Sequence, residues 1–256
     1  MAARASNWAE TRPEWGLAGC AAFIAARDYK AKWDKWREDG EGAAPTRNLQ
    51  NETLMGVLDG SILIQNHCYR ADEMAIVIDM AKEFGYKVTT FHHAVESYKI
   101  APLLAREGVC SAMWADWYGF KMESNDGIRE NIPFVHAAGA CAIVHSDDAG
   151  GIQRLNQEAA KALADGNRVG LGIAPETAWT WLSLNPARAL GIDKETGSLA
   201  AGKRADLVLW NGDPLSVYSR PEKVWIDGAV MFDSGNPRLR PVSDFELGQP
   251  GEGDVK

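Results

Sequence analysis

Four of the five histidines in this 256-residue chain stand at or just past the end of a short β-like run. His67 closes SILIQNH, His92 and His93 close KVTTFHH, and His145 lies near the end of CAIVHS, with Asp147 two residues on. Imidazole nitrogens with a carboxylate are a donor set that suits zinc. A carboxylate beside such an ion can also take a proton from the water that the ion activates. Any one strand-end histidine is ordinarily structural, and the repetition across three runs is what points to a divalent-metal centre. Neighbouring side chains on a strand point to opposite faces, so only one of His92 and His93 is expected at a shared rim. His145 and Asp147 point the same way, and either could serve. Asp148 is expected to cap the loop that follows.

The segments around these residues alternate in type. Runs starting at residues 61, 87, 109 and 141 have strand character, and each is followed by a helical pattern. The clearest helix is 70–84, where Met74, Val77, Ile78 and Ala81 recur at helical spacing and Gly85 supplies the stop. This alternation predicts βα units and a parallel sheet, whose C-terminal strand ends form the rim where chemistry collects. An amphipathic helix is expected over 20–38, and a new helix at Asn185-Pro186. Short strands at 205–210, 223–227 and 229–232 predict a small antiparallel β module, followed by a Pro- and Gly-rich tail.

Composition narrows the function classes. The chain is 46% hydrophobic and 24% charged, which excludes a disordered or collagen-like chain. A formal net charge of −8 disfavours nucleic acid as a partner. No apolar stretch is long enough for a transmembrane helix, and residues 1–19 lack an apolar signal-peptide core, which favours the cytoplasm. Cys20, Cys68, Cys110 and Cys141 form no CxxC pair and are expected as reduced thiols. Ten tryptophans are consistent with a lined pocket or with plain core packing. There is no GxSxG, HExxH, Walker A or GxGxxG motif.

The runs ILIQNHCYRADEM, VTTFHHAVESYK and IVHSDDAGGIQRLNQEAAKA, followed by LNPARALGID, GSLAAGKRADLVLW and VWIDG, resemble the amidohydrolase superfamily, with imidazolonepropionase-like members nearest. The likeness covers about residues 20–233. It implies an α/β fold: part of a (β/α)8 TIM-type barrel, strands 5–8, with part of a small flanking β-sandwich. It implies His67, His93 and Asp147 as ligands of a divalent metal, most simply zinc, and Asp147 as the general base in hydrolysis of a C–N bond. Tyr69, Arg70 and Trp117 are then candidates to contact a small-molecule substrate, while the roles of His92 and His145 stay open. Tyr118, Asp116 and Trp114 belong to the same segment as Trp117 and share its pocket-lining reading.

The family's His-x-His pair and its strand-4 ligand have no counterpart among these residues. The chain is therefore expected to be the C-terminal part of such an enzyme: 20–192 half of a barrel, 193–233 part of the sandwich, 234–256 a tail. Activity alone is expected to be weak or absent. A missing N-terminal half or a second copy is the expected protein partner, with no nucleic acid and no membrane. The alternatives are a non-catalytic remnant or binding module, or a half completed by a second polypeptide.

Overall fold

The computed structural model describes residues 13–240, with side chains from residue 18 onward. The expected tail over 234–256 lies mostly outside the described residues. The chain divides into two compact units between Ala142 and Ile143.

The first unit starts with α1 (Pro13–Asp39) and α2 (Leu49–Leu58). Asn48 caps α2 by accepting from the Asn51 amide at 3.0 Å. There follow β1 (Ile64–His67), α3 (Ala71–Phe84), β2 (Val88–His92), α4 (Ala101–Glu107), β3 (Cys110–Met113) and α5 (Asn131–Ala137). The short strand β4 (Cys141–Val144) spans the division. The sheet order is β1-β2-β3-β4, and β1, β2 and β3 pair in parallel, as the βα alternation predicts. Helix α3 buries Met74, Val77, Ile78 and Ala81, the stripe read from its spacing. It ends where Gly85 turns left-handed, with φ +78°, and donates to the Ala81 carbonyl at 2.9 Å.

Strand register assigns the faces. His67 lies opposite His92, and Gln65 opposite Thr90. Thr90 lies opposite Cys110, and His92 opposite Ala112. These residues share one face. Phe91, Ser111 and Met113 alternate onto the other, where all three are buried together with Met74, Ile78 and Leu104.

Two sequence expectations are corrected in this unit. Cys110 and Cys141 are not reduced thiols but form a disulfide, with Cα atoms 4.4 Å apart. The cause is topological: residues 31 apart in sequence are brought together by neighbouring strands. Cys20 and Cys68 are free, and burial pushes the Cys68 thiol far above its usual range. The helical pattern that follows the third run, over 125–138, forms a helix only at Asn131–Ala137. Before it, Gly127 packs so closely on Tyr118 that a Cβ would sit 2.2 Å from the Tyr118 Cβ.

The second unit holds α6 (Leu155–Arg168), α7 (Pro175–Thr180), α8 (Leu184–Ala189), β5 (Leu207–Trp210), β6 (Pro221–Ile226) and β7 (Ala229–Asp233). Helix α8 begins at Leu184, so Asn185 lies inside it, buried and accepting from Arg188 at 3.2 Å, rather than capping it. The last three strands form an antiparallel sheet. Its β6–β7 hairpin turns at Asp227-Gly228, both with positive φ, as a two-residue turn requires. The motif GSLAAGKRADLV is a folded clasp. Asp206 accepts from Thr196 at 2.7 Å, from the Asp227 amide at 2.9 Å and from Arg204 at 3.0 Å. These bonds hold the Asp206 carboxyl low, at about 2.

Candidate active site

The site is built at the C-terminal ends of β1 and β2. His67 is the last residue of β1, and His93 follows the last residue of β2. Their rings meet edge to face with centroids 4.3 Å apart. The period-2 alternation that predicts opposite faces for His92 and His93 stops at the strand end. His93 has φ +56°, a left-handed conformation uncommon for any residue but glycine. That turn re-aims its side chain toward His67. His92 stays on the sheet face, where its Nε2 and Gln65 Oε1 are 2.8 Å apart.

Aromatic rings enclose the pair. Tyr69 stacks on His93 at 5.5 Å, and Trp114 stacks on it at 4.9 Å. Tyr69, Val95 and Trp114 form a buried cluster, and His93 itself is only 7% exposed. Trp117 stacks over Trp114 at 6.4 Å and is 43% exposed, so it presents a free face. Lys121 places its ammonium 4.0 Å from the Tyr69 ring centroid, a cation–π contact that sequence reasoning missed. Its one sequence signal is a position inside the aromatic run 117–121.

Arg70 is at hand but engaged. Its guanidinium grips Asp72 through Nε at 3.0 Å and Nη2 at 2.8 Å, and that pairing raises its already high pKa. Glu96 accepts from the Ala71 amide at 2.9 Å while its own amide donates to the Tyr69 carbonyl at 3.1 Å. The Cys68 amide donates to the His92 carbonyl at 3.0 Å, so the two strand ends are stitched together. Glu96 and Asn131, both structural to this rim, were also missed by sequence reasoning, because their partners are backbone atoms distant in sequence.

In the second unit, His145 is half-buried just past β4, and Asp147 is exposed with φ +57°. Apart from the hairpin residue Asp227, His93 and Asp147 are the non-glycine residues with positive φ among those described. Backbone strain of this kind gathers at functional sites. Asp148 caps its loop, as expected, by accepting from the Gly151 amide. Ser146 Oγ also donates to the Asp148 carbonyl at 2.9 Å. Among the described residues no group of three or more His, Cys, Asp or Glu side chains is arranged to hold a metal ion. The His67–His93 pair supplies two imidazole donors, a set whose chemistry fits zinc.

A parallel α/β sheet with imidazoles converging at its C-terminal rim defines a class of rim-site protein that reaches well beyond one family. Comparison with known proteins narrows it. The Amidohydrolase family profile matches residues 50–234, and the chain belongs to that family. It is 30% identical over 224 residues to the amidohydrolase tasK of Hapsidospora irregularis, covering 83% of this chain and 22% of that protein. The crystal structure of an amidohydrolase from Thermotoga maritima superposes with a TM-score of 0.76 at 29% identity, over 87% of this chain and 57% of that one. A zinc-bound adenosine deaminase from Xanthomonas campestris, at 19% identity and TM-score 0.55 over 82% of this chain and 56% of that one, shares the fold. The chain thus spans about a fifth of the first relative's length and little over half of the first solved structure's. Residues 1–33 separately match the profile of the probable inorganic carbon transporter subunit DabA, including 83% identity over 23 residues to that protein from a Ruegeria species, which covers 9% of this chain and 3% of that protein. No helix among the described residues is long and apolar enough to cross a membrane.

Proposed function

We propose that this chain carries the metal-binding rim of a zinc-dependent hydrolase that cleaves a C–N bond, including cyclic amides, in a small molecule. The observation that carries the reading is the 4.3 Å meeting of His67 and His93 at two strand ends, with His93 held in a left-handed turn. In this reading His67 and His93 bind the metal through imidazole nitrogens, and Asp147 is a third ligand. A metal held there would polarise the carbonyl of the scissile C–N bond and would make water acidic enough to attack near neutral pH. Asp147 takes the proton from that water and delivers it to the departing nitrogen. Trp117 packs against the apolar part of the substrate, Tyr69 bounds the pocket, and Arg70 grips a carbonyl or carboxylate once released from Asp72. His92 orients Gln65 and keeps the sheet face polar, and His145 positions the Asp147 loop.

The same reading makes β1–β4 strands 5–8 of a (β/α)8 barrel and β5–β7 part of a small flanking β-sandwich. It divides the chain into 20–192, 193–233 and a tail over 234–256.

Titrating the purified chain with Zn²⁺ while following the histidine imidazole resonances tests it. Saturable shifts at His67 and His93 are expected, with hydrolysis of an amide panel weak or absent in the chain alone and any residual rate lost in D147N. No zinc-dependent shift at either residue overturns the reading. A second reading is supported by coverage, the chain spanning 57% of the Thermotoga structure. It is a binding module or half-site completed by another polypeptide or a second copy, for which zinc binding without hydrolysis, and activity recovered on mixing with the complementary part, is the signature.

A further inference from the structure

His93 is held in an unfavourable backbone conformation, with φ +56°. Left-handed φ costs a side-chain-bearing residue about 1–2 kcal/mol relative to right-handed geometry, so something must over-determine the turn. Asn131 is placed to do that. Its side chain is 3% exposed, at the first position of α5. Its Nδ2 donates to the Ala94 carbonyl at 3.0 Å and to the Val95 carbonyl at 2.9 Å. Its Oδ1 accepts from the Tyr98 amide at 2.9 Å. One amide thus pins both carbonyls directly after His93 and the amide that opens the next turn. The Ala94 amide donates to the Ala112 carbonyl at 3.3 Å and the Val95 amide to the His93 carbonyl at 2.7 Å, so the frame closes back on His93.

We propose that Asn131 is the positioning residue for His93: its amide locks the 94–98 segment and thereby sets the left-handed turn that presents the His93 imidazole to His67. Asn131 touches neither imidazole and is not a catalytic residue. A carboxylate of the same shape still accepts from Tyr98 but cannot donate to the two carbonyls, leaving them facing a charge. Glutamine carries the right groups one methylene too far. This inference rests on the proposed metal site for its functional meaning, though not for its structural test.

The test uses the full chain and two substitutions: N131D, and V135A on the same helix as a packing control that leaves the frame untouched. Two readouts are taken. The first is the His93 backbone conformation, from its amide–Hα coupling and Cα shift without metal. The second is Zn²⁺ affinity by competition with a chelator. Expected are a native-like His93 turn and affinity in V135A, and in N131D a His93 that leaves the left-handed region with zinc binding weakened about 10–100-fold, the usual cost of losing an outer-shell support. An unchanged His93 conformation in folded N131D overturns the inference, as does an equal affinity loss in V135A. If the native chain shows the turn but binds no zinc, the metal reading fails, and the backbone readout still decides the role of Asn131. Should N131D not fold, amide hydrogen exchange in the native chain replaces it. Coupling is reciprocal, so saturating zinc must slow exchange of the Tyr98 amide by the factor it gains from the frame. No slowing overturns the proposal.

Discussion

His67 and His93 leave adjacent parallel strands and meet ring to ring, centroids 4.3 Å apart and planes inclined at 62°. Strand register places His67 opposite His92, not His93, and the contact exists because the chain turns left-handed one residue beyond the strand. A pair built this way, with one member buried under Trp114 and the other exposed, is pre-formed before any ligand arrives.

Zinc should therefore bind the folded state better than the unfolded chain and stabilise it. At a free concentration one hundred times the Kd, linkage adds about 2.7 kcal/mol to the unfolding free energy. H67A and H93A should each abolish that increment, measured for each variant against its own metal-free stability. Denaturant unfolding with and without Zn²⁺ checks it, and an undiminished increment in either variant counts against the site.

The His93 turn gives a second expectation. His93→Gly should be more stable than His93→Ala by about 1 kcal/mol, because glycine enters the left-handed region without the Cβ penalty. At an ordinary strand residue the order reverses. Urea midpoints of the two variants decide between them.

Gly127 and Tyr118 are coupled by close approach. In G127A the new Cβ would lie 2.2 Å from the Tyr118 Cβ, so the 114–122 loop must move. A loss of about 1–3 kcal/mol is expected, as for other overpacked sites. Y118G, which removes the Cβ that the new methyl would meet, should return most of it in the double variant relative to Y118G alone, and a double-mutant cycle with no coupling would contradict the contact.

The Cys110–Cys141 bridge closes a loop of 31 residues. Loop-closure entropy for that length corresponds to about 4 kcal/mol of stability. The C110S/C141S double variant should unfold at correspondingly lower denaturant, and dithiothreitol should lower the native protein toward it. Free thiol counts of two before reduction and four after it, on the denatured protein, verify the bond, since Cys20 and Cys68 are free.

Asp206 sets an acid limit on the second unit. Its carboxyl is depressed from 3.8 to about 2 by bonds from Thr196, the Asp227 amide and Arg204. A depressed folded-state pKa contributes stability above the unfolded value and loses it as pH falls through the folded one. The contribution is thus fully present above about pH 4 and disappears toward pH 2. D206N should be less stable at neutral pH and show a flatter melting profile between pH 4 and pH 2. A profile parallel to the native one would count against the clasp.

Much of this architecture is written locally. The helical stripe Met74, Val77, Ile78, Ala81 with its Gly85 stop and the βα alternation depend on side-chain period or local φ preference, and the structure follows them. Family membership was equally legible, because the motifs that carry it lie in short contiguous runs that the Amidohydrolase profile also matches. Where local signals were equivocal the elements shifted: the helical pattern over 125–138 yields a helix only at Asn131–Ala137, and Asn185 sits within α8.

What sequence alone determined about this protein is the order and type of its elements and the histidines at their ends. Tertiary structure decided which of those histidines meet. Strand alternation assigned His92 and His93 to opposite faces, and only the left-handed turn, supported by Asn131 from a helix more than thirty residues on, brings His93 to His67. The Cys110–Cys141 bond and the Lys121–Tyr69 contact are of the same kind. Each depends on distance in space between residues remote in sequence, and periodicity and propensity carry no information about that distance.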